Sequence, residues 1–234
     1  FAFVADYNAL RVVNVTDPYL PFEETNASRE SPTVPGKLTV AGSTVVSADP
    51  YLGLRIIDAA NPTAPTFVGS YATPGTAYDV AVAGDLAYVA AGTGGLRLLD
   101  ISNPPTPVEV NSFAQEYFSD YRAVAVDGEV AFVANGEFGL SAIIFSEDPF
   151  QTQQYILTTD GYAWDVTLAG DYAYVADDSN VLVIIDRNSL GDMVQIGNLI
   201  TPGKAYAVAV QGNYAYVASG EDGLLIINIS TPSE

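Results

Sequence analysis

Apolar stretches of about five residues alternate along the chain with short segments rich in Gly, Asn, Asp and Pro. Nowhere do apolar positions recur at the three- and four-residue spacing of a helix face. The pattern predicts short strands joined by tight turns, and no helix. One phrase repeats, most fully from Val80 to Asp100: an apolar segment, a Gly-acid pair, a second apolar segment ending in Ala, a short loop, then a run opened by Leu and closed by Asp. That opening leucine falls at Leu10, Leu54, Leu96, Leu140, Leu182 and Leu224, spaced 44, 42, 44, 42 and 42 residues apart. A near-constant period of this length without helical patterning marks propeller blades. The prediction is an all-β fold, a β-propeller of six four-stranded blades with incomplete terminal blades, forming a single domain over 1–234.

In the fullest repeat the strands are read at Ala77–Ala83, Leu86–Ala90, Leu96–Ile101 and Pro107–Phe113. The first two strands of a blade are joined by Gly42-Ser43, Gly84-Asp85, Gly128-Glu129, Gly170-Asp171 and Gly212-Asn213. A leading glycine suits a type II′ hairpin, whose first central residue needs positive φ. The inner strands are apolar on both faces, so each sheet must be covered on both faces, which stacked blades accomplish. The recurring aromatics Phe3, Tyr88, Phe132, Tyr174 and Tyr216 are therefore expected between blades. Phe1 falls inside a second-strand phrase and Glu234 just after a third strand, which reads as part of a longer, processed or truncated product. Glu24–Val34, rich in Ser, Pro and Glu, reads as an insertion.

Composition narrows the chemistry. The 234 residues hold 28 Asp+Glu against 8 Lys+Arg, a net charge of −20, with no Cys and no His. Disulfides, thiol catalysis, cysteine-held metal and the usual general base are thereby excluded. So acidic a chain repels nucleic acid and anionic membranes, and no apolar run is long enough for membrane insertion.

The segments Gly-Asp-Tyr-Ala-Tyr-Val-Ala and Gly-Leu-Arg-Ile-Ile-Asp resemble the LVIVD repeat, found in β-propeller proteins of bacterial and archaeal surfaces. The resemblance spans nearly the whole chain. It implies the propeller fold and an extracellular or cell-surface location, and brings no shared catalytic motif. The blade aspartate stands at Asp58, Asp100 and Asp186, becomes Asn14 and Asn228 in the outer repeats, and is Ile144 in the fourth. A residue so repeated and so replaceable reads as a turn cap, not a catalyst.

Aligned at the start of the first strand, the repeats carry Gly36, Tyr78, Arg122, Trp164 and Tyr206, followed by Lys37, Asp79, Ala123, Asp165 and Ala207. Equivalent positions converge on the axis of a propeller, so Tyr78, Asp79, Arg122, Trp164, Asp165 and Tyr206 are the candidate binding residues at a channel mouth. Aromatics beside carboxylates can stack on a sugar and accept its hydroxyl hydrogen bonds. The loops between second and third strands add Asp49, Glu137, Asp177, Asp178, Glu221 and Asp222, a candidate Ca²⁺-holding rim. Asp177-Asp178-Ser179-Asn180 lacks the glycine and glutamate of a calcium loop. No cofactor is required. Three functions fit: a non-catalytic surface module binding a protein, glycan or cation; a structural building block assembling with other subunits; and a Ca²⁺-dependent hydrolase or lactonase using Asp79 and Asp165. The first is the expectation carried forward.

Overall fold

The computed structural model describes residues 1–6, 9–28, 36–114, 119–146, 151–179 and 181–232. The fold is all-β, a six-bladed β-propeller whose described residues form 22 strands in six antiparallel sheets. Contacts part the chain into two compact units, Phe1–Ser112 and Phe113–Glu234.

Unit 1 holds three blades. The first is β1 (Ala2–Asp6), β2 (Ala9–Asn14) and β3 (Phe22–Ser28). The second is β4 (Leu38–Ala41), β5 (Thr44–Asp49), β6 (Gly53–Asp58) and β7 (Thr66–Tyr71). The third is β8 (Asp79–Ala83), β9 (Leu86–Ala90), β10 (Leu96–Asp100) and β11 (Val108–Phe113). Unit 2 repeats the plan with β12 (Ala123–Asp127), β13 (Val130–Ala134), β14 (Leu140–Ile144) and β15 (Gln153–Leu157). Next come β16 (Ala163–Ala169), β17 (Tyr172–Asp177), β18 (Val181–Asp186) and β19 (Val194–Ile200). The last sheet is β20 (Ala207–Gln211), β21 (Tyr214–Ala218) and β22 (Leu224–Asn228). The terminal sheets thus have three strands each among the described residues.

Two details depart from the sequence reading. Single 3-10 turns occur at Leu190–Asp192 and Gly220–Asp222, where a loop closes in one tight turn. Glu24–Ser28, read as part of an insertion, ends the outer strand β3, paired with β2 from Phe22 to Ser28. Polarity was a poor guide there, because an outer strand tolerates charge: Glu23 pairs with Arg11 at 2.6 Å. The rest of that stretch, residues 29–34, lies outside the described residues.

The core lies between sheets. In unit 1, Val46, Leu54 and Ile56 of the second blade pack on Val80, Val89 and Leu99 of the third. In unit 2, Phe132 and Leu140 meet Val175 and Ile185, while Tyr174 and Ile184 meet Val208 and Val217. Burying both faces of each inner strand is what selects Ala, Val, Ile and Leu there. Phe132 and Tyr174 fill the inter-blade gaps at 1% and 2% exposure, as their recurrence predicted.

Turn chemistry explains the repeat signature. Gly42, Gly84, Gly128, Gly170 and Gly212 all have φ between 55° and 60° at the first position of the two-residue loops. The blade Asp/Asn caps the turn after its strand: Oδ1 of Asp58, Asp100, Asp186, Asn14 and Asn228 accepts the N–H of Ala60, Ser102, Asn188, Thr16 and Ser230 respectively. Among the described residues, no helix is long and apolar enough to cross a membrane.

Candidate functional site

The first strand of each blade begins on an equivalent backbone. The N–H groups of Tyr78, Arg122 and Tyr206 donate to the carbonyls of Ala90, Ala134 and Ala218 at 2.8–2.9 Å. Trp164 departs from this, because the register of β16 on β17 shifts between Ala163 and Asp165. An irregularity of that kind re-aims the side chain it carries.

In unit 1, Asp79 is buried, and its two oxygens accept from the Val80 N–H at 2.8 Å and from Lys37 Nζ at 3.3 Å. Tyr78 beside it is half-buried.

In unit 2, Arg122, Trp164 and Tyr206 come together, joined by Tyr162 and Asp120. The Arg122 guanidinium lies 4.9 Å from the centroid of the Trp164 ring and 5.5 Å from that of Tyr162. Its Nε–H donates to Tyr162 Oη at 2.9 Å and Nη2 donates to Asp120 Oδ2 at 2.6 Å. The Tyr162 hydroxyl donates to the same Asp120 oxygen. Trp164 also contacts Tyr162 at 4.8 Å and meets Tyr206 edge-on at 5.7 Å. The charged, planar guanidinium suits the indole face, where cation–π attraction adds to stacking.

Electrostatics hold this cluster in one charge state. Burial lowers the Arg122 pKa, but Asp120 and Tyr162 outweigh it and leave the guanidinium above its ordinary value. The Tyr162 phenol is pushed up to about 12, first by burial and then by its bond to Asp120, against the pull of Arg122. Asp178 is held below the usual carboxylate range: burial opposes its charge, but the Tyr162 backbone N–H at 3.0 Å and Lys204 Nζ at 3.1 Å prevail. Trp164 Nε1 favours that charge too, although it is buried without a hydrogen bond of acceptable geometry.

A phenol held neutral to about pH 12, against 10 in the unfolded chain, contributes stability complete below pH 10. That contribution is lost as pH rises from 10 to 12. Denaturant midpoints at about pH 9 and about pH 11 should therefore fall less steeply for Tyr162→Phe than for the parent protein. Equal falls would show that the phenol is not held.

Asp165 has a different task from stacking. It is 4% exposed, and its Oδ2 accepts the N–H of Val208, at the start of the neighbouring blade, at 2.9 Å. The rim acids divide as well. Asp49 is fully buried and accepts the N–H groups of Tyr51 and Leu52. Asp177, equally buried, accepts those of Ser179 and Gly161. Asn135 and Ser219 stand at the same repeat position and accept from the Asp120 and Gly203 N–H groups. In these four blades the side chain at this position ties a loop to the end of the second strand, whereas the third blade carries Ala91 there. Glu137, Glu221 and Asp222 are exposed. No three acidic groups among the described residues gather as metal ligands, and Asn180 lies outside them.

Beside Tyr206, which is 45% exposed, lies a depression of about 400 Å³ lined by Pro202, Lys204, Glu221 and Asp222. Asp120, Tyr162 and Lys204 were not singled out from the sequence. All three stand two residues before the aligned ring positions, so the same period carries the signal that would have found them.

The family described as LVIVD repeat matches residues 46–73, 74–115, 160–194 and 202–234, together more than half of the chain. The gap after residue 115 falls on the fourth blade, where Ile144 replaces the turn-capping Asp. No curated protein matches the chain. Among solved structures, it is similar to the computationally designed Ika8 protein at 10% identity and a TM-score of 0.73, over 99% of this chain and 68% of that one. It is similar to a functionally unknown protein from Desulfotomaculum acetoxidans DSM 771 at 14% identity and a TM-score of 0.73, over 100% and 77%. At such identities the likeness bears on the fold alone.

Proposed function

We propose, since this chain belongs to the LVIVD-repeat family, that it is a non-catalytic propeller module, secreted or held at the cell surface, that binds a glycan through the aromatic and acidic face of its second unit. One observation carries the reading: half-exposed Tyr206, braced edge-on by Trp164, beside a depression bearing Lys204, Glu221 and Asp222. A sugar ring stacks on such an aromatic while its hydroxyls donate to carboxylates and accept from an ammonium. The non-catalytic reading is supported by Asp79 and Asp165, whose oxygens are engaged by backbone N–H groups and Lys37. Placement outside the cell rests on the acidity and the family, and is tested by external protease on intact source cells. Survival of the protein until lysis refutes it.

Trp164 is the one tryptophan of the chain, so its emission reports directly on this face. A glycan ligand should shift that emission, and Tyr206→Ala should weaken binding by about 1–3 kcal/mol, the loss of one aromatic anchor. Ca²⁺ is titrated alongside as the alternative ligand; no cofactor is required. Emission indifferent to glycans, with full affinity in Tyr206→Ala, refutes the site. A structural role in an extracellular assembly is the second reading, supported by the apolar exposure of the outer strand β11 at Val108 and Val110.

A further inference from the structure

We infer that Arg55 and Ser47 form a binding site for a small carboxylate anion in the second blade. The inference does not depend on the glycan site. Strand alternation sets the place. Leu54 and Ile56 of β6 face the third blade, whereas Val45 and Ile57 pack with Leu10 and Phe3 of the first. Arg55 lies on the latter face, where its cross-strand neighbours are Ser47 and Ser70.

Three blades carry arginine at this place in the repeat: Arg11, Arg55 and Arg97. In two of them the residue twelve positions on is a glutamate that neutralises it. Glu23 lies 2.6 Å from Arg11, and Glu109 lies 3.3 Å from Arg97. In the second blade that residue is Phe67. Its ring centroid lies 4.6 Å from the Arg55 guanidinium carbon, and among the described residues no carboxylate or other hydrogen-bond acceptor engages that group. Arg55 is only 8% exposed. A cation so deeply placed is costly unless it is paired and hydrogen-bonded. The aromatic ring meets the face of the guanidinium and leaves its edges, which carry the N–H donors, to an acceptor in its plane.

A second departure lies beside the first. The strand position paired with this place is Val4, Val89, Val133, Val175 and Val217 in five blades, and Ser47 in the second. Ser47 is 5% exposed, and a hydroxyl that dry suits a hydrogen-bonded ligand better than packing. The blade that lacks its own carboxylate is thus the one that gains a buried donor next to the guanidinium. A carboxylate matches both, because its two oxygens accept in parallel from a guanidinium edge and keep lone pairs for a hydroxyl. Exposed Phe67 and Ser70 leave an approach from the outer rim. So little of Arg55 is accessible that the occupant is a free anion of about the size of acetate.

The probe is acetate, titrated into the intact chain labelled with nitrogen-15 arginine and compared with chloride at equal ionic strength. A saturable shift of the Arg55 Nε–H resonance is expected, identified by its loss in Arg55→Lys, with the signals of Arg11 and Arg97 unmoved. Ser47→Val, which restores the residue of the other blades, should weaken acetate about threefold or more. Phe67→Glu, which restores the missing carboxylate at an exposed position, should abolish the acetate response while the rest of the spectrum stays that of the folded chain. Tyr206→Ala should leave acetate binding unchanged. No saturable shift, an equal shift with chloride, or full acetate affinity in Phe67→Glu would overturn the inference. Tighter binding of a capped hexaglutamate peptide than of acetate, at equal carboxylate concentration, would overturn the assignment to a free anion.

Discussion

Replacing Gly53 with alanine is expected to destabilise the protein by about 2–5 kcal/mol. Two costs coincide at this residue. Its φ of +81° is a left-handed conformation in which an L side chain costs about 1–2 kcal/mol. The added Cβ would also fall 2.3 Å from the Tyr71 carbonyl oxygen and 2.6 Å from the Thr73 nitrogen. Those neighbours are backbone inside a paired sheet, so relief requires moving a strand. Gly223→Ala and Gly84→Ala are the controls: both have positive φ, and neither Cβ meets anything within 4 Å. Each should cost only about 1–2 kcal/mol. Urea midpoints measured on the three variants separate the two costs, and equal losses would refute the close approach at Gly53.

Asp165→Ala should cost about 2–3 kcal/mol, the value of a hydrogen bond to a charged acceptor together with the buried donor it abandons. Val208 is 7% exposed, so its N–H would find no ready substitute for the Asp165 oxygen. Asp165→Asn keeps an acceptor oxygen in place and should lose less. Thermal or urea unfolding checks both variants. Should Asp165→Ala retain full stability while losing glycan binding, the carboxylate would belong to the ligand site and not to the junction between blades.

The fold was legible because each blade states the same local instructions. Leading glycines at the hairpins, an Asp or Asn two residues before the N–H it caps, and strands apolar on both faces are all short-range chemistry. Ten residues suffice to display each. Repetition then separates signal from accident, and even the fourth blade announces its divergence through Ile144. The candidate site was less legible. Asp49 and Asp177 resemble exposed rim acids in sequence, yet both are fully buried and occupied by backbone N–H groups. Asn135 and Ser219 fill the same place in the repeat as buried acceptors and Ala91 fills it with no polar group, so charge is not what the position requires.

Trp164 and Asp165 show most clearly where local reasoning stops. They are adjacent, and a sequence reading pairs them as one stacking and hydrogen-bonding unit. A register shift in β16 sends them to different tasks: Trp164 takes the Arg122 guanidinium on its face, and Asp165 turns to Val208 of the next blade. The sequence by itself determined the blade count, the strand order, the turns and the caps, since these depend on residues within one period of about 42. Which aromatic stays half-exposed and which N–H group Asp165 binds were decided by tertiary structure alone. Each depends on groups a full repeat apart, and packing brings those groups together without leaving a trace in local order.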